Sequence, residues 1–168
     1  MRKRFAALDC SFLLALAAGD DDCSGVVDWL QSIPVYPLVS STVLQELRDI
    51  ETSDDDPENK DYARIAQLSM PTWGFLCVSV EGVDAGIVEI IANKLVEKGG
   101  VEDHCKNDGL AIAEAAYHDC KIFVTYRKSL LKVHPDPLKL VLLESDVSDL
   151  FVIDPPQIIE YLRDGHAA

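Results

Sequence analysis

Five short apolar runs recur along the chain, at residues 5–8, 36–39, 75–80, 122–125 and 150–153. Each is short, rich in β-branched, aromatic or leucine side chains, and bounded by polar or turn residues, so each reads as a strand. The run at 75–80 is continuous, which predicts a strand buried on both faces. Between the runs, apolar residues repeat at helical spacing. Val43, Leu44, Leu47 and Ile50 form one such face, opened by Ser40-Ser41-Thr42. Leu110, Ile112, Ala113, Ala115 and Ala116 form another, made of side chains small enough to lie close against a sheet or helix. Further helices are predicted over residues 11–18, 24–31, 59–68, 84–98 and 155–162, with a helical turn at 138–143.

Strands that alternate with helices imply right-handed crossovers and a parallel sheet. The predicted fold class is α/β, a three-layer α/β/α sandwich around about five parallel strands, in a single domain over residues 1–168. Pro34 and Pro37 flank the second run and place it near a sheet edge. Gly19 and the three aspartates after it are read as the end of the first helix. The acidic stretch 51–61 is read as a solvated loop, and Pro71-Thr72-Trp73-Gly74 as a turn.

Composition narrows the function. The formal charge of −14 opposes nonspecific adhesion to nucleic acid or anionic lipid. Five cysteines, an odd number without a CxxC pair, fit free and mostly buried thiols in a reducing compartment. His104-Cys105 and His118-x-Cys120 match no common zinc spacing. Met1-Arg2-Lys3-Arg4 followed by apolar residues imitates a secretory signal, yet Asp9 interrupts the apolar stretch. The run after Asp9 is also too short to span a bilayer. A cytoplasmic protein without a membrane partner is therefore expected. A phosphate-binding glycine loop and a GxSxG nucleophile turn are both missing, which removes P-loop hydrolases and α/β-hydrolases from consideration.

Three acids stand at comparable places. Asp9 ends the first strand, Glu46 lies in the helix after the second, and Asp108 opens the helix before the fourth. A parallel sheet can bring such segments to one carboxyl edge, where ligands bind. Converging carboxylates repel unless a cation lies among them, and hard oxygen ligands suit Mg²⁺ or Mn²⁺. Such a centre activates water for phosphodiester hydrolysis. Each acid also has a structural reading: Asp9 and Asp108 as helix caps, Glu46 as a helix-surface charge. An aspartyl-phosphatase use of Asp9 is disfavoured, because Asp9-Cys10-Ser11 lacks the second aspartate.

Taken in order, these segments resemble the PIN domains, small α/β nucleases that include the VapC-type toxin ribonucleases of toxin–antitoxin pairs. Leu8-Asp9-Cys10-Ser11 is similar to the family's opening motif, and the run from Val39 through Glu46 to its second. Asn107-Asp108-Gly109-Leu110 is similar to the third, and Phe123-Val124-Thr125 to the strand before the fourth. The ending Val152-Ile153-Asp154-Pro155-Pro156 resembles the usual strand, proline and helix. The likeness spans residues 5–162. It implies a metal-dependent ribonuclease with Asp9, Glu46 and Asp108 as catalytic metal ligands, and Mg²⁺ or Mn²⁺ as cofactor. RNA is then the substrate, contacted by Ser11, Thr125, Arg127 and Lys128. The likeness further implies a small antitoxin partner and a homodimer. One departure stands out. Where the family carries acids after the threonine, this chain reads Thr125-Tyr126-Arg127-Lys128-Ser129. Arg127 in an acid's place reverses the local field, which weakens metal binding and raises an alternative: a degenerate PIN domain that binds or scaffolds without cleaving.

Overall fold

The computed structural model describes residues 3–103 and 105–165. The signal-like Met1 and Arg2 and the zinc candidate His104 lie outside the described residues. The chain runs β1 (Arg4–Leu8), α1 (Cys10–Ala17), α2 (Asp21–Ser32), β2 (Val35–Ser40), α3 (Ser41–Ser53), α4 (Pro57–Trp73), β3 (Leu76–Val78) and α5 (Gly82–Glu97). It continues through α6 (Lys106–Tyr117), β4 (Cys120–Val124), α7 (Lys128–Leu131), α8 (Pro135–Glu144), β5 (Phe151–Ile153) and α9 (Pro155–Arg163). The strands form one five-stranded sheet in the order β3-β2-β1-β4-β5, and every adjacent pair is parallel. Helices cover both faces. Helices α5, α6 and α8 pack together, and α1 packs with α2 and α4, α2 also meeting α9. The three-layer α/β/α sandwich expected from the alternation is the fold.

The strand order fixes where a site can be. The chain builds outward from β1 to β2 and β3, then crosses back and builds β4 and β5 on the other side of β1. The carboxyl ends of β1 and β4 are therefore a topological switch point, where the loops diverge and leave a crevice. Asp9 follows β1 and Thr125 follows β4 at that point. Both strand ends are anchored. The Asp9 N–H donates to the Val124 carbonyl at 3.0 Å, and the Thr125 N–H to the Ile153 carbonyl at 3.0 Å.

Core packing holds the crevice in place. Leu8, Phe12, Leu13, Val124 and Phe123 are buried around it. Helix α6 lies sunk beneath α5 because its residues are small. A methyl group added to Gly109 would meet the Ala92 carbonyl oxygen of α5 at 3.2 Å. The carbon skeletons are therefore about as close as they can be.

Several expected boundaries move. Asp20 does not end α1; it caps α2, accepting from the Cys23 N–H at 2.8 Å, and Asp21 and Asp22 occupy the first turn. Their charge suits the positive helix end. Strand β2 is near an edge as expected, one strand in, between β3 and β1. Pro37 is tolerated because β3 pairs with β2 only from Leu38 onward, leaving Pro37 opposite β1 alone. The third run, expected to be buried on both faces, is an edge strand three residues long with Leu76 and Cys77 exposed. The acidic stretch 51–61 is mostly helical: α3 runs through Ser53, and Asp56 caps α4 from 57 onward. Helix α4 also runs through the predicted turn with Pro71 in its last turn, and stops at Gly74, whose φ of 74° only glycine adopts freely. The turn at 138–143 is part of a ten-residue helix, α8. All five cysteines are free; Cys10, Cys23 and Cys120 are buried, Cys105 is half-buried and Cys77 is exposed. Among the described residues no helix is long and apolar enough to cross a membrane.

Candidate functional site

The carboxylate of Asp9 is built into the sheet edge. Its residue takes the N-cap position of α1, yet the side chain makes no capping bond. It turns instead toward two hydroxyls: Ser11 Oγ donates to Asp9 Oδ2 at 2.9 Å and Thr125 Oγ1 donates at 2.7 Å. The same two hydroxyls accept backbone N–H bonds from the loop after β4. Tyr126 N–H reaches Ser11 Oγ at 2.9 Å, and Arg127 N–H reaches Thr125 Oγ1 at 2.9 Å. Thr125 is fully buried and Asp9 is 1 % exposed. Ser11 and Thr125, expected to touch substrate, here orient Asp9 and fix the loop that carries Arg127. Tyr126 adds a further tie, its hydroxyl donating to Asp20 Oδ1 at 3.0 Å.

Glu46 comes from α3 and Asp108 from the first turn of α6. Asp108 does not cap α6; Cys105 holds the N-cap position without a side-chain bond. Between the three carboxylates lies the guanidinium of Arg127. Its Nη1 donates to Asp108 Oδ1, its Nη2 to Glu46 Oε2 at 3.2 Å, and its Nε lies 3.9 Å from Asp9 Oδ2. Ser129, one residue into α7 beyond Lys128, adds Oγ at 3.3 Å from Asp108 Oδ2. The sequence-predicted acids are thus brought together, and the residue that breaks the expected pattern is what joins them. Lys128 is exposed beside them.

The electrostatics follow from this packing. Burial alone would lower the pKa of the Arg127 guanidinium, but the charges of Asp9, Glu46 and Asp108 outweigh it and hold it above its ordinary value. Burial raises the Glu46 carboxyl above its usual range, and the Arg127 charge only partly opposes that. Burial, with the Glu46 and Asp9 charges behind it, raises the thiol of Cys10. Cys10 is therefore a neutral packing group here.

A cleft of about 370 Å³ opens onto the cluster, lined by Glu46, Cys105, Lys106, Asp108, Arg127 and Ser129 among others. A larger cavity of about 470 Å³ lies beside β5, α8 and α9, but its lining is mostly apolar and holds none of the three carboxylates. The fit of a divalent ion decides what the cleft can do. Converging carboxylates are a suitable donor set, but Asp108 and Glu46 already accept from the guanidinium, and Asp9 Oδ2 already accepts from Ser11 and Thr125. A divalent ion among them would sit against a fixed positive charge. Among the described residues no group of three or more His, Cys, Asp or Glu side chains is arranged to hold a metal. The expected Mg²⁺ or Mn²⁺ does not fit this arrangement.

Glu114 was missed from sequence. It sits within the small-residue run of α6, is 6 % exposed, and caps the start of α3. Ser41 Oγ donates to its Oε1 at 3.1 Å, Thr42 Oγ1 to Oε1 at 2.8 Å and the Thr42 N–H to Oε2 at 3.3 Å. One helix, α6, therefore supplies Asp108 to the cluster and holds the helix that supplies Glu46. The signal was its company: an acid among Ala111, Ile112, Ala113, Ala115 and Ala116 has no solvent face to occupy.

No family model matches the sequence, and neither does any curated protein. Solved structures do match. A chain of VapBC2 from Rickettsia felis, crystallised bound to a DNA fragment from their promoter, superposes with a TM-score of 0.62 at 13 % identity. The match covers 89 % of this chain and 98 % of that one. A chain of FitAcB from Neisseria gonorrhoeae matches at 22 % identity over 89 % of this chain and 97 % of that one, with a TM-score of 0.49. The strand order, the layers and the match along nearly the whole VapBC2 chain give the conclusion that this protein has a PIN-type, VapC-like fold.

Proposed function

We propose that this chain is a PIN-fold protein of toxin–antitoxin kind that works as a binding module, without metal-dependent cleavage of RNA. The observation that carries the reading is the Arg127 guanidinium lying among Asp9, Glu46 and Asp108. Hydrolysis of a phosphodiester needs charge stabilisation for the transition state and an activated water. Here the Arg127 guanidinium, the cation at the centre among the described residues, is spent on internal carboxylates. Three carboxylates face one guanidinium, so the cleft remains a poor place for a phosphate backbone. Lys128 is exposed at its side, and Lys106 on its rim pairs with Glu89 at 3.5 Å. In this reading Ser11 and Thr125 position Asp9 and the Arg127 loop rather than touch RNA.

The partner side of the proposal draws on the fold likeness. VapBC2 is an assembly of a PIN-fold chain with a second protein, bound to promoter DNA. By extension a small antitoxin-like protein is the proposed partner of this chain, and a homodimer its proposed state. With a charge of −14 the chain itself offers DNA little, so any DNA contact falls to the partner.

A second reading, the metal-dependent ribonuclease, is favoured by one observation: three acids from β1, α3 and α6 do converge at the switch point of the sheet. One assay separates the two. Unstructured and hairpin RNAs are incubated with the protein and Mn²⁺ or Mg²⁺, beside an Asp108→Asn variant. Equal background in both proteins is the expected result. Metal-dependent cleavage at least about tenfold above the variant, a transition-state difference of about 1.4 kcal/mol, overturns the binding-module reading.

A further inference from the structure

We propose that Arg127 is itself the cation of this site, an occupant supplied by the chain in place of a divalent ion, and that this single side chain suppresses metal binding. The inference deepens the functional reading above and rests on its description of the carboxylates.

Two of the carboxylates, and the helix that carries the third, are held in place independently of Arg127. Asp9 is fixed by Ser11 and Thr125, Asp108 accepts from Ser129, and α3, which carries Glu46, is capped by Glu114. The guanidinium therefore fills a receptacle that the rest of the fold has already built. Its planar fork suits the role: Nη1 and Nη2 serve two different carboxylates while Nε faces the third. The cation also arrives from an anchored place. Arg127 N–H is bonded to Thr125 Oγ1, and Leu130 and Leu131 N–H groups return to the Arg127 carbonyl. A divalent ion must first displace a tethered charge that is always present at full effective concentration. Its affinity is lowered accordingly, whatever the quality of the oxygen ligands.

Two consequences separate this from an ordinary surface ion pair. The unmodified protein should be indifferent to chelators, since its counter-ion cannot be removed. Loss of the guanidinium should leave three nearby carboxylates that gain from any small hard cation. The removal of one tethered competing charge corresponds to a gain in Mn²⁺ affinity of about 100-fold.

The test uses the full chain and two variants, Arg127→Met, which keeps the aliphatic stem, and Arg127→Asp, which adds a fourth carboxylate. Mn²⁺ binding is followed by electron paramagnetic resonance of the free ion, with thermal unfolding in parallel. One-to-one binding by at least one variant, about 100-fold tighter than the parent and abolished by adding Asp108→Asn, is the expected result. A variant that is unfolded alone but refolds on adding Mn²⁺ supports the same conclusion. Folded variants that bind no better than the parent overturn the proposal, as do variants left unfolded with and without Mn²⁺. Cleavage of RNA by the unmodified protein that persists in chelator strikes at the functional reading alone, whereas metal-dependent cleavage overturns both. A failed gain in the variants strikes at the occupant role of Arg127 alone.

Discussion

Arg127→Met should destabilise the protein by about 3 kcal/mol near neutral pH, measured by urea unfolding. Removing one partner of a buried ion pair typically costs about 3–5 kcal/mol, because the remaining charge is left without compensation. The low end applies here, since the Arg127 side chain is 31 % exposed while those of Asp9 and Asp108 are 2 % and 3 % exposed. The loss has a definite pH dependence. Protonated carboxyls need no counter-ion, so the gap between parent and variant should shrink as pH falls through the ordinary carboxylate range, about pH 4. Glu46 reinforces this. Burial already raises its pKa in the folded protein, so its neutral form is favoured by folding, and that contribution is present below its ordinary value and lost as pH rises. Without Arg127, the one strong charge that lowers it, the Glu46 pKa rises further and the loss at neutral pH grows. A gap that stays constant from pH 4 to pH 8 contradicts an electrostatic origin.

Glu114→Ala is expected to cost about 2 kcal/mol by the same measurement. The carboxylate accepts from two hydroxyls and one backbone N–H at the positive end of α3, and burial makes each lost acceptor expensive. Glu114→Gln, which keeps one carbonyl oxygen for Ser41 and Thr42, should recover about 1 kcal/mol of that. The alanine variant leaves α3 less well held and so should also weaken the coupling between Glu46 and Arg127. In a double-mutant cycle, Arg127→Met should cost less in the Glu114→Ala background than in the parent. Additive losses place Glu114 outside the network.

The fold was largely legible because its strands and helices alternate without ambiguity. The α6 helix read clearly from its small residues, and the convergence of Asp9, Glu46 and Asp108 follows from parallel topology once β1 and β4 are neighbours. What was not legible depends on partners distant in sequence. Pro34 and Pro37 suggested a place near an edge, yet whether an N–H is needed at Pro37 depends on where β3 starts. The acidic stretch 51–61 looked like a solvated loop because charge was taken as a sign of irregular backbone. Its residues serve instead as the exposed side of α3 and as the cap of α4. In the site, sequence placed Arg127 among the acids but could not say which way it points. A guanidinium turned outward could have met phosphate; here it is turned inward. Ser11 and Thr125 were assigned to substrate for the same reason. Their hydroxyls face Asp9, Ser11 from two positions away and Thr125 from 116 positions along the chain, a contact that only the pairing of β1 with β4 creates.

Titration calorimetry of Mn²⁺ into the unmodified protein, at neutral pH and low ionic strength, bears most directly on a guanidinium in the metal's place. No saturable heat is expected up to millimolar Mn²⁺, with no change when Asp108 is replaced by asparagine. One-to-one binding in the micromolar range, about 8 kcal/mol of affinity, that disappears in Asp108→Asn would contradict it.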